Sequence, residues 1–163
     1  MTSILYDKIF DDDVNYNNIF KTYPFELSNF QKWAIKGITS GNNVLITAHT
    51  GSGKTLPAEQ AIQWFNAKNK KVIYCSPIKA LSNEKLYNFS QKFPNISFGI
   101  LTGDIKDNPE ADVLIMTTEI LYNTLFQKMM LKKNLIDPEK INLHFDLDIE
   151  TELGCVVFDE VHY

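Results

Sequence analysis

Apolar residues follow two different spacings along this chain, and the two spacings alternate. Short runs rich in β-branched residues predict buried strands, whereas apolar residues three or four positions apart predict amphipathic helices. The expected strands cover residues 43–47, 71–75, 96–101, 112–117 and 155–158, and the expected helices cover residues 29–41, 56–67, 80–93 and 119–130. This alternation predicts an α/β fold in which helices cover both faces of a parallel sheet.

Two stretches lie outside this alternation. Residues 1–22 are expected to form a peripheral leader, with a short strand at residues 3–6, before a break at Tyr23-Pro24. Residues from about 132 to 153 are rich in charge and contain an Asp-Pro step, which predicts an irregular insertion at the surface. The segment 23–163, including this insertion, is expected to be one domain.

Composition narrows the class of protein. The chain has 163 residues, 44% of them hydrophobic, and no apolar run that could span a bilayer, which predicts an intracellular protein without a membrane partner. Cys75 and Cys155 lie in predicted strands, so we expect buried, reduced thiols. A net charge of −4 argues weakly against nucleic-acid binding, but much of the acid is concentrated at residues 11–13 and 146–152.

The segment Ala48–Thr55 has the spacing of a phosphate-binding loop and lies between a predicted strand and a predicted helix. Its glycines let backbone amides turn towards the β- and γ-phosphates, and the helix N-terminus adds partial positive charge. Lys54 is the candidate for the terminal phosphates, and the Thr55 hydroxyl is a candidate magnesium ligand. The alternative is a glycine-rich turn with an incidental lysine. The candidate nucleotide site also includes Thr50, Gly51, Ser52 and Gly53.

A second motif, Asp159-Glu160-Val161-His162, follows the last predicted strand. Open parallel sheets bind their ligands at the carboxyl ends of strands. Asp159 is suited to bind the magnesium that Thr55 also contacts, and Glu160 is suited to orient and deprotonate the water that attacks the γ-phosphate. The alternative for these acids is a solvated strand end, and His162 by itself is compatible with an ordinary polar position.

Between residue 23 and residue 163, several short segments resemble, in order, the motifs of superfamily 2 helicases. Their amino-acid sequences are most similar to those of the superkiller and exosome-cofactor group of DExH-box RNA helicases. The segments are 23–27, 30–31, 48–55, 76–85, 101–104, 116–121 and 158–163. The resemblance implies the first RecA-like domain of a P-loop NTPase, incomplete because the sequence stops after the DExH strand.

The resemblance also implies roles for single residues. Gln31 would read the adenine edge, Phe25 would contribute to nucleotide binding, and His162 would couple the nucleotide site to a second motor domain. Contacts with the sugar-phosphate backbone of the loading strand are implied for Pro77, Lys79, Ala80, Thr102, Gly103, Thr117, Thr118 and Glu119. Without the resemblance, Gln31 is a surface glutamine and the segment 117–119 is a helix cap.

The function implied is an ATP-dependent RNA helicase that uses ATP and Mg²⁺ to unwind or thread single-stranded RNA, together with RNA-decay or processing partners. Its motif order would place a second RecA-like domain and arginine fingers after residue 163, so this segment alone is expected to hydrolyse little ATP. The alternatives are a DNA-repair helicase of the same superfamily and a truncated, non-catalytic binding module. The expected location is the cytoplasm or nucleus, or a viral factory or virion if the Asn-, Lys- and Ile-rich composition reflects a viral genome.

Overall fold

The computed structural model describes residues 9–10, 14–137, 139 and 143–161. The chain divides into two compact units, residues 1–64 and residues 65–163. The strand expected at residues 3–6 and the residue His162 lie outside the described residues. Within the part that is described, no helix is long and apolar enough to cross a membrane.

Helices form the regular structure of the first unit. They are α1 (Val14–Phe20), α2 (Asn29–Thr39) and α3 (Thr55–Asn66), of which α3 continues across the boundary between the units. Leu27, Ile35 and Leu56 form a buried cluster, against which Ile19 and Phe20 of α1 also pack. Part of the expected peripheral leader therefore belongs to the packing of this unit, and α1 is an element that the sequence pattern did not predict.

The strand predicted at residues 43–47 does not form, and this prediction is wrong. Residues 42–49 have neither helix nor strand structure, and the side chain of Leu45 is 79% exposed. A β-branched run supplies the side-chain preference of a strand, but a strand also needs a neighbouring backbone to accept and donate its hydrogen bonds. The phosphate loop thus follows an irregular segment and not a strand, although the helix expected after the loop is present as α3.

In the second unit, five described strands form one sheet. They are β1 (Lys71–Ser76), β2 (Phe98–Leu101), β3 (Lys106–Asp107), β4 (Val113–Thr117) and β5 (Leu153–Phe158). The order is β3-β2-β4-β1-β5, with parallel pairing throughout except between β2 and β3. This confirms the predicted α/β class and mostly parallel sheet, with the two-residue strand β3 as an addition.

Helices α4 (Lys79–Lys92) and α5 (Thr118–Lys132) cover opposite faces of this sheet. On one face, the ring of Tyr74 in β1 meets Phe89 of α4 edge-on, with centroids 5.2 Å apart. On the other face, Ile73 and Cys75 of β1 pack in one buried cluster with Ile120 of α5. Successive strand residues point to opposite faces, so the continuous apolar run of β1 supplies both cores.

The segment expected to be a surface insertion contributes to the core. Phe145 and Leu147 are 2% and 1% exposed and belong to the buried cluster on the α5 face. Lys128 of α5 donates hydrogen bonds to the carboxylate of Asp146 (2.9 Å) and the backbone carbonyl of Leu147 (3.0 Å). Polar and apolar residues alternate at 144–148, so the apolar side chains are buried and the aspartate side chains between and after them are exposed. The segment does this without forming a strand.

Candidate nucleotide and nucleic-acid sites

The phosphate loop lies directly before helix α3, which begins at Thr55. Gly51 and Gly53 have φ angles of +82° and +85°, a region that residues with a Cβ rarely adopt. These two glycines therefore provide the backbone turn that aims peptide N–H groups into such a loop. The helix N-terminus adds a partial positive charge beside Thr55, which favours an anionic ligand there.

Lys54 turns back over the loop that precedes it. Its Nζ donates hydrogen bonds to the carbonyl oxygens of Ala48 (2.8 Å) and His49 (3.0 Å). These are bonds from a charged donor to neutral acceptors, which are weaker than bonds between an ammonium and a phosphate. A phosphate in the loop would therefore compete effectively for Lys54.

Ser52 has a hydroxyl oxygen that is buried and has no hydrogen-bond partner among the described residues. Leaving a buried hydroxyl unpaired costs free energy, about 1–3 kcal/mol in proteins. Its position in the loop between Gly51 and Gly53 makes a phosphate oxygen a chemically suitable acceptor. Within the loop, this buried hydroxyl without a hydrogen-bond partner is the most direct indication of an anion-binding site.

Gln31 of α2 is buried, and both ends of its amide are engaged. Its Oε1 accepts the backbone N–H of Ser28 (2.9 Å), and its Nε2 donates to the carbonyl oxygen of Gly53 (3.1 Å). The first of these bonds is half of a capping box, because Ser28 is the N-cap of α2. The glutamine therefore joins the start of α2 to the phosphate loop, and it is not a surface residue. Reading an adenine edge would require it to exchange one of these bonds.

Phe25 is the second expected nucleotide contact in the first unit. Its ring is 55% exposed and lies 6.0 Å from the ring of Tyr23. Tyr23 is fixed in turn, since its hydroxyl donates to Oε1 of Gln60 (2.6 Å), and burial raises the pKa of Tyr23 to about 12, with a smaller contribution from Glu59. Phe25 thus has an exposed aromatic ring next to Tyr23, which is held in place by its hydrogen bond to Gln60.

Asp159 immediately follows β5 and continues its pairing, because its backbone N–H donates to the carbonyl oxygen of Cys75 (2.9 Å). Its Oδ2 accepts a hydrogen bond from the hydroxyl of Tyr74 (2.6 Å) and lies 3.3 Å from Nζ of Lys85. Its Oδ1 accepts the backbone N–H of Glu160 (3.1 Å). Sequence reasoning missed Tyr74 and gave no role to Lys85, although Lys85 falls in one of the segments that carry the resemblance.

Glu160 has a φ angle of +49°, in the left-handed region that glycine favours. Strained non-glycine residues of this kind persist where the surrounding structure holds them, and they cluster at functional sites. The oxygen atoms of Asp159 and Thr55 are of the hard type that Mg²⁺ prefers. Among the described residues, no group of three or more His, Cys, Asp or Glu side chains could hold a metal ion.

The expected nucleic-acid contacts lie at or just after the carboxyl ends of three neighbouring parallel strands, β2, β4 and β1. The sheet therefore brings them to one edge of the second unit. Lys79 and Ala80 begin α4, Thr118 and Glu119 begin α5, and Pro77 lies half-buried before α4. Thr117 is the N-cap of α5 but makes no side-chain capping bond. Exposed residues at this edge include Lys79, Ala80, Gly103, Thr118 and Glu119.

Lys79 and Asp104 form an ion pair at this edge, with Nζ and Oδ1 2.8 Å apart. The buried residue Thr102 donates its hydroxyl to the same oxygen (2.9 Å) and accepts the backbone N–H of Ile105 (3.2 Å). The hydrogen bonds from Lys79 and Thr102 lower the pKa of Asp104 below its ordinary value. Thr102 therefore shapes the turn, while Lys79 is an exposed cation at this edge.

The matching family model is described as DEAD/DEAH box helicase, and it covers residues 28–163. The chain belongs to the DEAD/DEAH box helicase family. The mostly parallel sheet of the second unit, with helices on both faces, agrees with a RecA-like helicase domain.

Three relatives illustrate where in this family the chain is most similar. It is 40% identical to the Antiviral helicase SKI2 of Saccharomyces cerevisiae over 156 residues, which cover 96% of this chain and 11% of that protein. It is 41% identical to the DExH-box ATP-dependent RNA helicase DExH9 of Arabidopsis thaliana and 38% identical to the Exosome RNA helicase MTR4 of Homo sapiens, each over 88% of this chain and 12% of the relative. These matches confirm the resemblance to superkiller and exosome-cofactor helicases, and the chain spans only 11% to 12% of the length of these relatives.

Proposed function

We propose that this chain is the ATP-binding and RNA-binding motor domain of an ATP-dependent RNA helicase, and that ATP hydrolysis drives unwinding or threading of single-stranded RNA. Family membership supports the helicase class, and the names of two relatives, the Arabidopsis DExH9 and the human MTR4 helicases, specify RNA. The observation that carries the nucleotide part is the phosphate loop, where a buried Ser52 hydroxyl without a partner and two left-handed glycines form an anion-binding turn.

In this proposal, Lys54 leaves the carbonyls of Ala48 and His49 and binds the terminal phosphates of ATP. Thr55 and Asp159 would be the ligands of the magnesium ion, which would neutralise phosphate charge. Glu160 accepts a proton from the attacking water, because a carboxylate can act as a general base and an amide cannot. His162 remains a proposed link to a second motor domain.

Two variants of the full-length protein separate binding from chemistry. Lys54→Ala is expected to weaken ATP binding, since it removes the charge that meets the phosphates. Glu160→Gln is expected to keep ATP binding and to lower hydrolysis by about 10²- to 10⁴-fold. Lys133→Ala and Glu150→Gln are exposed controls that should change neither measurement. Equal loss of ATP affinity in Lys54→Ala and Glu160→Gln would contradict the assigned roles.

The nucleic-acid part rests on the edge formed by the ends of β2, β4 and β1. Threonine hydroxyls, helix N-termini and Lys79 can bind phosphates without reading base sequence. We therefore expect RNA to stimulate ATP hydrolysis by the full-length protein. We also expect the protein to bind unrelated single-stranded RNA sequences with similar affinity. Unwinding of RNA and DNA duplexes by the full-length protein tests the substrate: preference for DNA would favour the repair-helicase alternative, and nucleotide binding without turnover would favour the non-catalytic module.

Partners and location follow from the same proposal. We propose a second RecA-like domain and RNA-decay or processing factors as partners, in the cytoplasm or nucleus. The relatives named above come from yeast, a plant and human, so they give the viral location no support. Affinity purification of the full-length protein from its own cells, with and without ribonuclease, would test whether RNA-processing factors bind directly.

A further inference from the structure

Asp159 has its two carboxylate oxygens in different surroundings. Oδ2 accepts the Tyr74 hydroxyl at 2.6 Å and has the Lys85 ammonium at 3.3 Å. Oδ1 accepts one backbone N–H, from Glu160 at 3.1 Å. Because a carboxylate offers about four lone-pair positions, two on each oxygen, Oδ1 keeps the greater capacity for a further ligand.

The register of the sheet produces this contact. Tyr74 in β1 lies opposite Val157 in β5, and the backbone N–H of Asp159 extends the pairing by donating to Cys75. Side chains two residues apart on a strand share a face, so Val157 and Asp159 point to the same side as Tyr74. A shift of one residue would send the Asp159 carboxylate to the other face, away from the tyrosine hydroxyl.

Tyr74 is itself held firmly. It is 1% exposed, and its ring meets Phe89 of α4 edge-on. Lys85 lies one helical turn before Phe89 on the same face of α4, and its Nζ is 5.8 Å from the centre of the Tyr74 ring. The hydroxyl that contacts Asp159 therefore comes from a packed side chain with little freedom to follow a moving carboxylate.

We propose that Tyr74 is a positioning residue for magnesium binding, which fixes Oδ2 of Asp159 and thereby presents Oδ1 to the metal. This proposal rests on the proposed function, in which Asp159 is a magnesium ligand. Hydrogen-bond partners behind a metal ligand orient it, and removing such a partner typically lowers metal affinity about 10- to 100-fold. Tyr74 touches neither the nucleotide nor the metal in this proposal and acts only through Asp159.

The test uses Tyr74→Phe in the full-length protein, which removes the hydroxyl and keeps the ring against Phe89. Binding of a fluorescent ADP analogue is followed by anisotropy while Mg²⁺ is titrated, so the measurement does not depend on turnover. The Mg²⁺ concentration at the midpoint is expected to rise about tenfold or more in Tyr74→Phe, with unchanged analogue binding in the absence of Mg²⁺. Tyr122→Phe, which removes the hydroxyl of an exposed tyrosine on α5, is the matched control and should keep the wild-type midpoint.

The outcomes separate the two proposals. If wild-type protein binds the analogue without any dependence on Mg²⁺, the proposed function fails at its magnesium step, and the role of Tyr74 fails with it. If the wild type depends on Mg²⁺ and Tyr74→Phe has the same midpoint, only the role of Tyr74 is overturned. Loss of cooperative thermal unfolding in Tyr74→Phe would also overturn it, since the hydroxyl would then serve the fold.

Discussion

Gln31 donates its side-chain amide to the carbonyl oxygen of Gly53, which ties the start of α2 to the phosphate loop within the first unit. Gly53 tolerates this close approach because it has no Cβ. A Cβ at this position would lie 2.6 Å from Nε2 of Gln31. The pair therefore places two demands on residue 53, a positive φ angle and the absence of a side chain.

The first prediction concerns Gly53→Ala. Alanine at a left-handed φ costs about 1–2 kcal/mol, and its Cβ would also displace the Gln31 amide from the loop carbonyl. We expect a marked loss of ATP affinity, measured by equilibrium binding of a fluorescent nucleotide to the full-length protein.

Gly41→Ala is the matched control for this prediction. Gly41 has a φ angle of +77°, but a Cβ there would meet nothing within 4 Å. The variant should lose a similar amount of stability and keep its ATP affinity. Equal ATP affinity in Gly53→Ala and Gly41→Ala would show that the contact with Gln31 is not important for the loop.

Most helices and strands of the second unit were predictable from sequence because their signals are local. The apolar runs of β1 and β4 and the helical spacing of α4 and α5 identify each element within its own residues. Residues 43–47 have the same kind of apolar run, yet they form no strand. The difference is pairing, because β1 has neighbours on both sides, and pairing is a property of the whole sheet that a single run does not encode.

The candidate site also combines features that a local sequence pattern predicts with features that depend on the whole sheet. Lys54, Asp159 and Glu160 could be proposed from sequence because phosphate and metal chemistry requires particular residue types at a fixed spacing. The contact between Tyr74 and Asp159 was not found, since it joins residues 85 positions apart through the register of β1 and β5. The burial of Phe145 and Leu147 was also not predicted. The charged residues around them made the segment resemble a surface loop, although apolar and polar residues alternate within it.

The second prediction tests that buried pattern. Phe145→Ala should lower the free energy of unfolding by about 3–5 kcal/mol, the usual cost of removing a large aromatic side chain from a packed core. Leu135→Ala, at a position that is 64% exposed, should change it by less than about 0.5 kcal/mol. Urea denaturation of both variants measures the two effects. A Phe145→Ala variant as stable as wild type would place this segment outside the core.

The third prediction concerns alkaline pH. Both cysteines are free, and burial raises the pKa of the fully buried Cys75 thiol from 9.0 to about 12. In the unfolded chain the thiol ionises near pH 9, so between pH 9 and 12 the unfolded state binds fewer protons than the native state. The stability contributed by the neutral thiol is therefore complete below pH 9 and falls as pH rises, by at most about 1.4 kcal/mol per pH unit.

Cys75→Ala removes this dependence and leaves the other alkaline groups, including Tyr23, in place. Urea denaturation of wild type and variant at several pH values from 7 to 10.5 measures the slope. The variant should lose some stability at neutral pH through lost packing, but its stability should fall less steeply above pH 9. If the free energy of unfolding fell equally steeply above pH 9 in both proteins, ionisation of Cys75 would not be the cause of the pH dependence.

The last prediction concerns the ion pair at the proposed RNA-binding edge. The Asp104 carboxylate, which is charged at neutral pH, holds the Lys79 ammonium at 2.8 Å. An RNA phosphate must therefore compete with Asp104 for the same ammonium. Asp104→Asn removes the competing charge while keeping an oxygen that can accept the Thr102 hydroxyl, so we expect tighter binding of single-stranded RNA.

Lys79→Ala should have the opposite effect and should weaken binding of unrelated RNA sequences alike. It should also make the salt dependence of log K shallower by about 0.7, the value for one phosphate contact on a single strand. Glu150→Gln is the matched control, because Glu150 forms a similarly exposed pair with Lys132 at 3.1 Å. It changes the net charge of the chain by the same amount as Asp104→Asn, so tighter RNA binding in both variants would show that overall charge, and not this ion pair, controls affinity.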